Sequence, residues 1–192
     1  LSNVVVSTDS LQISKIAEMA GAYVPFKRPH ELSSDTAESI PVIKHALEFM
    51  EREANSEYGA VMMLQPTAPL RKVEHINKAL DMFLENQEKC DSVVSVVSVG
   101  GYHPLRMKRL VGNILVNYID QGNWDMRPRQ VLPAVYIRNG SIYLNKREVI
   151  LEQECLIGKH CMGFVMNPED SVNIDSKIDL LIAEKLLEKR EI

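Results

Sequence analysis

Asn3-Val4-Val5-Val6-Ser7 is an unbroken apolar run, mostly β-branched, that leads directly into the polar turn Ser7-Thr8-Asp9. A run of this kind fits a parallel strand covered on both faces better than a strand with one wet side. Parallel strands need crossover connections, which are usually helices, so the run predicts a βα alternation along the chain. It also reads as an interior strand rather than the start of a domain, which leads us to expect chain ahead of Leu1.

The downstream pattern supplies that alternation. Residues 10–20 carry Leu11, Ile13, Ile16, Ala17 and Ala20 at helical spacing, with Gly21 placed to end the helix. Tyr23 to Phe26 reads as a short strand. Asp35 followed by Glu38 resembles a capping pair that opens a helix through Ile40, Ile43, Ala46, Leu47 and Met50. Ala60 to Leu64 is the next strand, Val73 to Asn86 the next helix, and Ser92 to Val99 a Val-rich strand.

Between Gly100 and Pro133 the rhythm changes to short strand-like pieces such as Asn113 to Ile119, broken by Gly, Pro, Asn and Asp. That stretch, about residues 100–133, reads as an inserted antiparallel arm within one domain spanning 1–192. Val135 to Tyr143 then resumes a strand, Lys146 to Glu152 a short helix, Met162 to Met166 a strand, and Ile178 to Lys189 a closing amphipathic helix.

The 192 residues, 45% hydrophobic and 25% charged, have ordinary globular composition and suffice for one full core. A net charge of -4 in mixed-sign segments gives no basic footprint for nucleic acid and no membrane-binding face. No run approaches the roughly 20 apolar residues of a bilayer span. Cys90, Cys155 and Cys161 are odd in number and lack zinc or Cys-x-x-Cys spacing, which points to reduced thiols and a cytoplasmic protein.

In an open α/β sheet, chemistry gathers in the loops at strand ends. Five segments stand out there: Ser7-Thr8-Asp9; Lys27-Arg28-Pro29 through Ser33-Ser34-Asp35-Thr36; Leu64-Gln65-Pro66-Thr67-Ala68-Pro69-Leu70-Arg71; Arg127-Pro128-Arg129-Gln130 through Asn139-Gly140-Ser141-Ile142-Tyr143; and Ser171-Val172-Asn173-Ile174-Asp175. In that order and spacing the chain resembles the CMP-N-acetylneuraminate synthetase family and its legionaminate and pseudaminate relatives. The resemblance spans nearly the whole chain, and Leu64 to Arg71 together with Ser33-Ser34-Asp35-Thr36-Ala37 carries most of it.

The resemblance implies a Rossmann-like nucleotidyltransferase sheet flanked by helices, with the arm serving dimerisation. It implies CTP and a nine-carbon keto sugar acid as substrates, Mg2+ as cofactor, and a homodimer. It also implies a strand and a glycine-containing Arg/Ser/Lys phosphate loop ahead of Leu1, whose residues cannot be named in this sequence. The expected reaction is attack of the sugar's anomeric 2-hydroxyl on the α-phosphorus of CTP. A legionaminate- or pseudaminate-specific homologue, and a shortened noncatalytic binding or dimer subunit, are the alternatives.

By the same resemblance, Arg28 and Ser34 contact the nucleotide, and Gln65, Arg129, Asn139 and Tyr143 the sugar. Arg129 faces the sugar carboxylate, where a guanidinium can bond both oxygens and fix orientation. Asp175 and Asn173 are the metal pair, and Asp175, Arg129 and Gln65 carry the catalysis. Asn173 stands where most relatives have aspartate, which removes one negative charge. Taken alone, each residue has a plainer reading: Arg28 a surface turn, Ser34 and Asp175 helix caps, Gln65 and Asn173 turn residues, Tyr143 a half-buried strand aromatic, and Arg127, Arg129 and Arg138 a solvated charge group. Arg71 reads as a charge at a helix start or on a dimer face. The five histidines form no metal or nucleophile cluster, and no general base can be named.

Overall fold

The computed structural model of the chain describes residues 3–120 and 122–190. In chain order its regular elements are α1 (Leu11–Met19), α2 (Ser39–Ala54), β1 (Ala60–Met63), α3 (Val73–Glu85), β2 (Ser92–Ser98), β3 (Lys108–Val111), β4 (Ile114–Asn117), β5 (Tyr136–Lys146), α4 (Arg147–Leu151), β6 (Cys161–Val165) and α5 (Lys177–Glu188). A four-stranded sheet runs in the order β1-β5-β2-β6, and β3 and β4 form a separate two-stranded sheet. The chain divides into two compact units.

One unit comprises Leu1–Met63, Glu85–Val93 and Tyr143–Cys161. Its core is built by the helical repeat of α2 and by α4: Ile43, Leu47 and Ile150 are buried, and Ile40, Tyr58, Val61, Met63, Leu151 and Leu156 pack against them. β1 pairs antiparallel with the end of β5, Ala60 opposite Lys146 and Met63 opposite Tyr143. α2 ends at Asn55, whose left-handed backbone (φ 48°) is the usual way to stop a helix.

Two local expectations change here. The run at residues 3–7 is not a strand covered on both faces. It forms one isolated parallel bridge, Val5 to Tyr23, followed by another from Thr8 to Lys27, and Val4 stays 59% exposed. Asp35 and Glu38 do not cap α2 as a pair: Asp35 lies in a turn, and Glu38 occupies the N-cap with no side-chain bond to the helix. α1 has its expected limits and a Ser10 cap on the Ile13 N–H, yet none of its residues is buried.

The other unit comprises Leu64–Leu84, Val94–Ile142 and Met162–Ile192. α3 turns Ala79 and Phe83 inward, and Ala68, Leu70, Val94, Ile142, Phe164 and Met166 are also buried. β3 and β4 form an antiparallel hairpin with Lys108 opposite Asn117 and Val111 opposite Ile114. Gly112 makes its turn at φ 60°. α5 begins with a reciprocal capping box in which Ser176 Oγ accepts from the Asp179 N–H and the Asp179 carboxylate accepts from the Ser176 N–H. Ser176 therefore does the capping that one reading gave to Asp175.

Candidate active site

Gly140 is the point on which the candidate site closes. It sits at φ 72° within β5, a conformation that L side chains rarely adopt. A methyl group there would lie 2.8 Å from Gln65 Oε1 and 3.1 Å from Asn173 Oδ1. Two side-chain oxygens from segments far apart in sequence thus converge on bare backbone, and a side chain there would force both to shift.

The loop carrying Gln65 is held from several sides. The Ala68 N–H donates to the Gln65 carbonyl (3.3 Å), and the Ile174 N–H donates to the Thr67 carbonyl (2.8 Å). Ala68 and Leu70 are buried at 1% and 0% exposure. Arg71 Nη1 donates to the Gln65 carbonyl at 3.3 Å and to the Ser141 carbonyl at 2.7 Å. Arg71 therefore points inward, not to a helix start or an outer face. Burial pulls its guanidinium below the usual arginine range. At the far end of the loop, Arg190 donates to the Leu70 carbonyl (3.0 Å) and pairs with buried Asp170, which also receives Lys72 at 3.0 Å.

Asn139 is almost fully buried, and its amide is engaged by the protein. Its Oδ1 accepts from Ser95 Oγ (2.6 Å) and from the Ser141 N–H (3.2 Å), and its Nδ2 donates to Ser171 Oγ (2.9 Å). Ser171 in turn donates to the Asn167 carbonyl (2.7 Å). This network fixes the segment leading to Asn173 and was not legible in the sequence, because it depends on Ser95 and Ser171 meeting one side chain across long sequence separations.

Asn173 Nδ2 donates to Asp175 Oδ2 at 2.7 Å, while Asn173 Oδ1 is buried and accepts no hydrogen bond. An orphaned buried carbonyl oxygen is costly unless a ligand supplies a partner. With the exposed Asp175 carboxylate, the donor set is entirely hard oxygen, one carboxylate and one amide. That fits a magnesium-type ion, which takes one or two protein carboxylates and completes its shell with water and substrate phosphate. Among the described residues no group of three or more His, Cys, Asp or Glu forms a closed metal cage.

Arg127 is bonded to Asp125 (2.7 Å) and holds that carboxyl down to about 2, so its charge is locally spent. Arg129 and Arg138 are exposed and make no side-chain hydrogen bond or ion pair among the described residues. Tyr143, Arg28 and Ser34 belong to the other unit. Tyr143 is 7% exposed and pairs with Met63 across β1 and β5. Arg28 is half-buried and donates from Nε to Ser7 Oγ at 3.1 Å and from Nη2 to the Ser7 carbonyl. Ser34 is exposed, with its hydroxyl 3.4 Å from that of Thr36.

A sheet in this strand order, with helices between its strands along the chain, fits an α/β nucleotidyltransferase. The solved structure of CMP:2-keto-3-deoxy-manno-octonic acid synthetase complexed with CTP superposes on 99% of this chain and 82% of its own at a TM-score of 0.64, with 13% identity. The chain belongs to the cytidylyltransferase family, which matches residues 1–190. It is 33% identical to the post-translational flagellin modification protein B of Campylobacter coli, over 99% of this chain and 79% of that protein. It is 31% identical to the CMP-N,N'-diacetyllegionaminic acid synthase of Legionella pneumophila, over 96% and 78%. The N-acylneuraminate cytidylyltransferase of Escherichia coli is 30% identical over 97% of this chain and 42% of that protein.

Proposed function

We propose that the chain couples CTP to the anomeric 2-hydroxyl of a sialic-acid-type nine-carbon keto sugar acid, giving the CMP-sugar and pyrophosphate. The observation that supports this reading most is the convergence of Gln65 Oε1 and Asn173 Oδ1 on Gly140, beside Asp175. It gathers a neutral amide suited to a sugar hydroxyl and hard oxygens suited to a phosphate-bound cation. Relatives named for N-acylneuraminate, diacetyllegionaminate and pseudaminate supply the substrate class.

In the reaction the sugar O2 forms a bond to the α-phosphorus, the bond from that phosphorus to the β-phosphate bridge breaks, and the electron pair leaves with pyrophosphate. The hydroxyl proton passes to solvent or to phosphate oxygen. Arg129, exposed and without a side-chain partner among the described residues, binds the sugar carboxylate with both arms of its fork. Gln65 orients the sugar and Asn139 holds the segment behind it, while the family resemblance gives Tyr143 to the sugar and Arg28 and Ser34 to the nucleotide. Asp175 and Asn173 would hold Mg2+, which when bound would neutralise phosphate charge. Alignment of two bound substrates supplies most of the acceleration, with no covalent enzyme intermediate.

The functional form is a homodimer using the arm at residues 100–133, whose hairpin exposes Leu110, Val111, Ile114 and Leu115. Apolar residues so placed are better covered by a second copy than by water. No helix among the described residues is long and apolar enough to cross a membrane, and a reaction that consumes CTP suits a cytoplasmic enzyme.

The test is pyrophosphate release from CTP and magnesium with a panel of acids. Nine-carbon 2-keto acids are expected to support turnover, and the corresponding sugars lacking the carboxylate are not. Release that is absent with every acid, or equal without the carboxylate, contradicts the reading.

A further inference from the structure

Arg71 is a half-buried guanidinium with no acidic partner among the described residues; its only side-chain bonds go to two neutral carbonyls. Such placement is costly, because burial disfavours the charge and no counter-ion offsets it. The two carbonyls are those of Gln65 and Ser141, the second adjacent in sequence to Gly140. One nitrogen, Nη1, serves both, so the Gln65 end of the loop and the Gly140 end of the strand are tied to a common point. Removing that nitrogen leaves the Gln65 carbonyl with the 3.3 Å contact from the Ala68 N–H and cuts the tie between the Gln65 loop and the strand at Gly140.

We propose that Arg71 is a positioning residue for the acceptor sugar acid, holding Gln65 at the Gly140 notch through one guanidinium nitrogen shared between the Gln65 and Ser141 carbonyls. The inference rests on the proposed reaction and extends it to a residue that touches neither substrate. Because a single nitrogen does the bridging, a lysine ammonium can substitute for it, whereas methionine fills the space and bridges nothing. Glutamine, shorter and neutral, is a second non-bridging variant should the methionine protein fail to fold.

The full chain and its Arg71→Met, Arg71→Gln and Arg71→Lys variants are compared, each also in a Gln65→Ala background. Amide hydrogen exchange is followed at residues 64–71 and 139–142, with α2 as the internal control. Steady-state constants are measured separately for the sugar acid and CTP. In Arg71→Met, exchange in both segments rises about tenfold, as expected for loss of one charge-assisted hydrogen bond, while α2 is unchanged. The KM for the acid rises about tenfold with that for CTP unmoved, Arg71→Lys restores most of it, and Arg71→Met adds little once Gln65 is alanine. Unchanged exchange in both segments, equal rises in the two KM values, or full additivity with Gln65→Ala overturns the proposal. Wild-type protein that releases no pyrophosphate with any acid sinks the reaction, and the exchange readout then decides the clamp by itself.

Discussion

Gly140→Ala perturbs the candidate site by one methyl group, and its consequences can be worked from the backbone outward. At φ 72° an alanine pays a left-handed strain of about 1–2 kcal/mol. The new Cβ lies 2.8 Å from Gln65 Oε1, the far end of a flexible side chain, which can swing away at little cost. It lies 3.1 Å from Asn173 Oδ1, on a shorter side chain that is bonded to Asp175, so that oxygen must give by a few tenths of an ångström. Stability should therefore fall by about 2 kcal/mol, or about 4–8 °C in Tm for a chain of this size. Activity should fall as well. Both oxygens proposed to align substrate and cation are displaced; since about 1 Å of misplacement costs on the order of 100-fold, shifts of a few tenths of an ångström should cost on the order of tenfold in kcat/KM for the sugar acid. The assay is pyrophosphate release at 20 °C or below, where the variant stays folded, with acid and CTP varied in turn. A protein that melts as expected yet keeps kcat/KM for the acid within about twofold of wild type would refute the view that this notch belongs to the active site.

Asp175→Ala should lower turnover strongly and raise the magnesium concentration needed for half-maximal rate, since the only carboxylate of the proposed metal pair is lost. Because Ser176 and Asp179 cap α5 reciprocally, its thermal stability should change little; a large drop in Tm with unchanged magnesium dependence would make Asp175 structural. Arg129→Ala should raise the KM for the sugar acid by about 10–100-fold while leaving that for CTP nearly constant, and equal loss for both would move this arginine to the phosphates. Gly158→Ala tests the other unit: its Cβ would fall 2.1 Å from Asp91 Oδ1, a buried carboxylate bonded to the His160 N–H and Ser92 Oγ. About 3 kcal/mol should be lost in urea unfolding, and a midpoint shift worth under about 0.5 kcal/mol would show that the loop yields freely.

How far these elements could be read from sequence follows from the range of the forces that set them. Helices α3 and α5 and strands β1, β2, β5 and β6 lie within three residues of their expected limits, because apolar periodicity and Gly or Pro punctuation are local signals. The run at residues 3–7 misled in degree: β-branching favours extended backbone, but its coverage depends on neighbours that sequence pattern does not specify. The Asp35 and Glu38 spacing matched a capping pair, yet the helix starts at Ser39, since a turn at residues 34–37 intervenes. Within β5 every position from Asn139 to Asn145 is buried, so the two-residue alternation carried no information about which side chains face a ligand. Arg71 illustrates the same limit. Its residue type allows a surface charge, and only the Ser141 carbonyl, 70 residues onward, turns it inward.

Attack on CTP by the sugar's own anomeric oxygen can be followed by supplying the sugar acid with 18O at C2 and weighing the product with magnesium present. The expected product is a CMP-sugar that retains the heavy oxygen in the bridge between C2 and phosphorus, with unlabelled pyrophosphate released in equal amount. Loss of the label to water, which would mean that nucleotide phosphate displaces the sugar hydroxyl, contradicts that attack, as does the absence of any CMP-sugar.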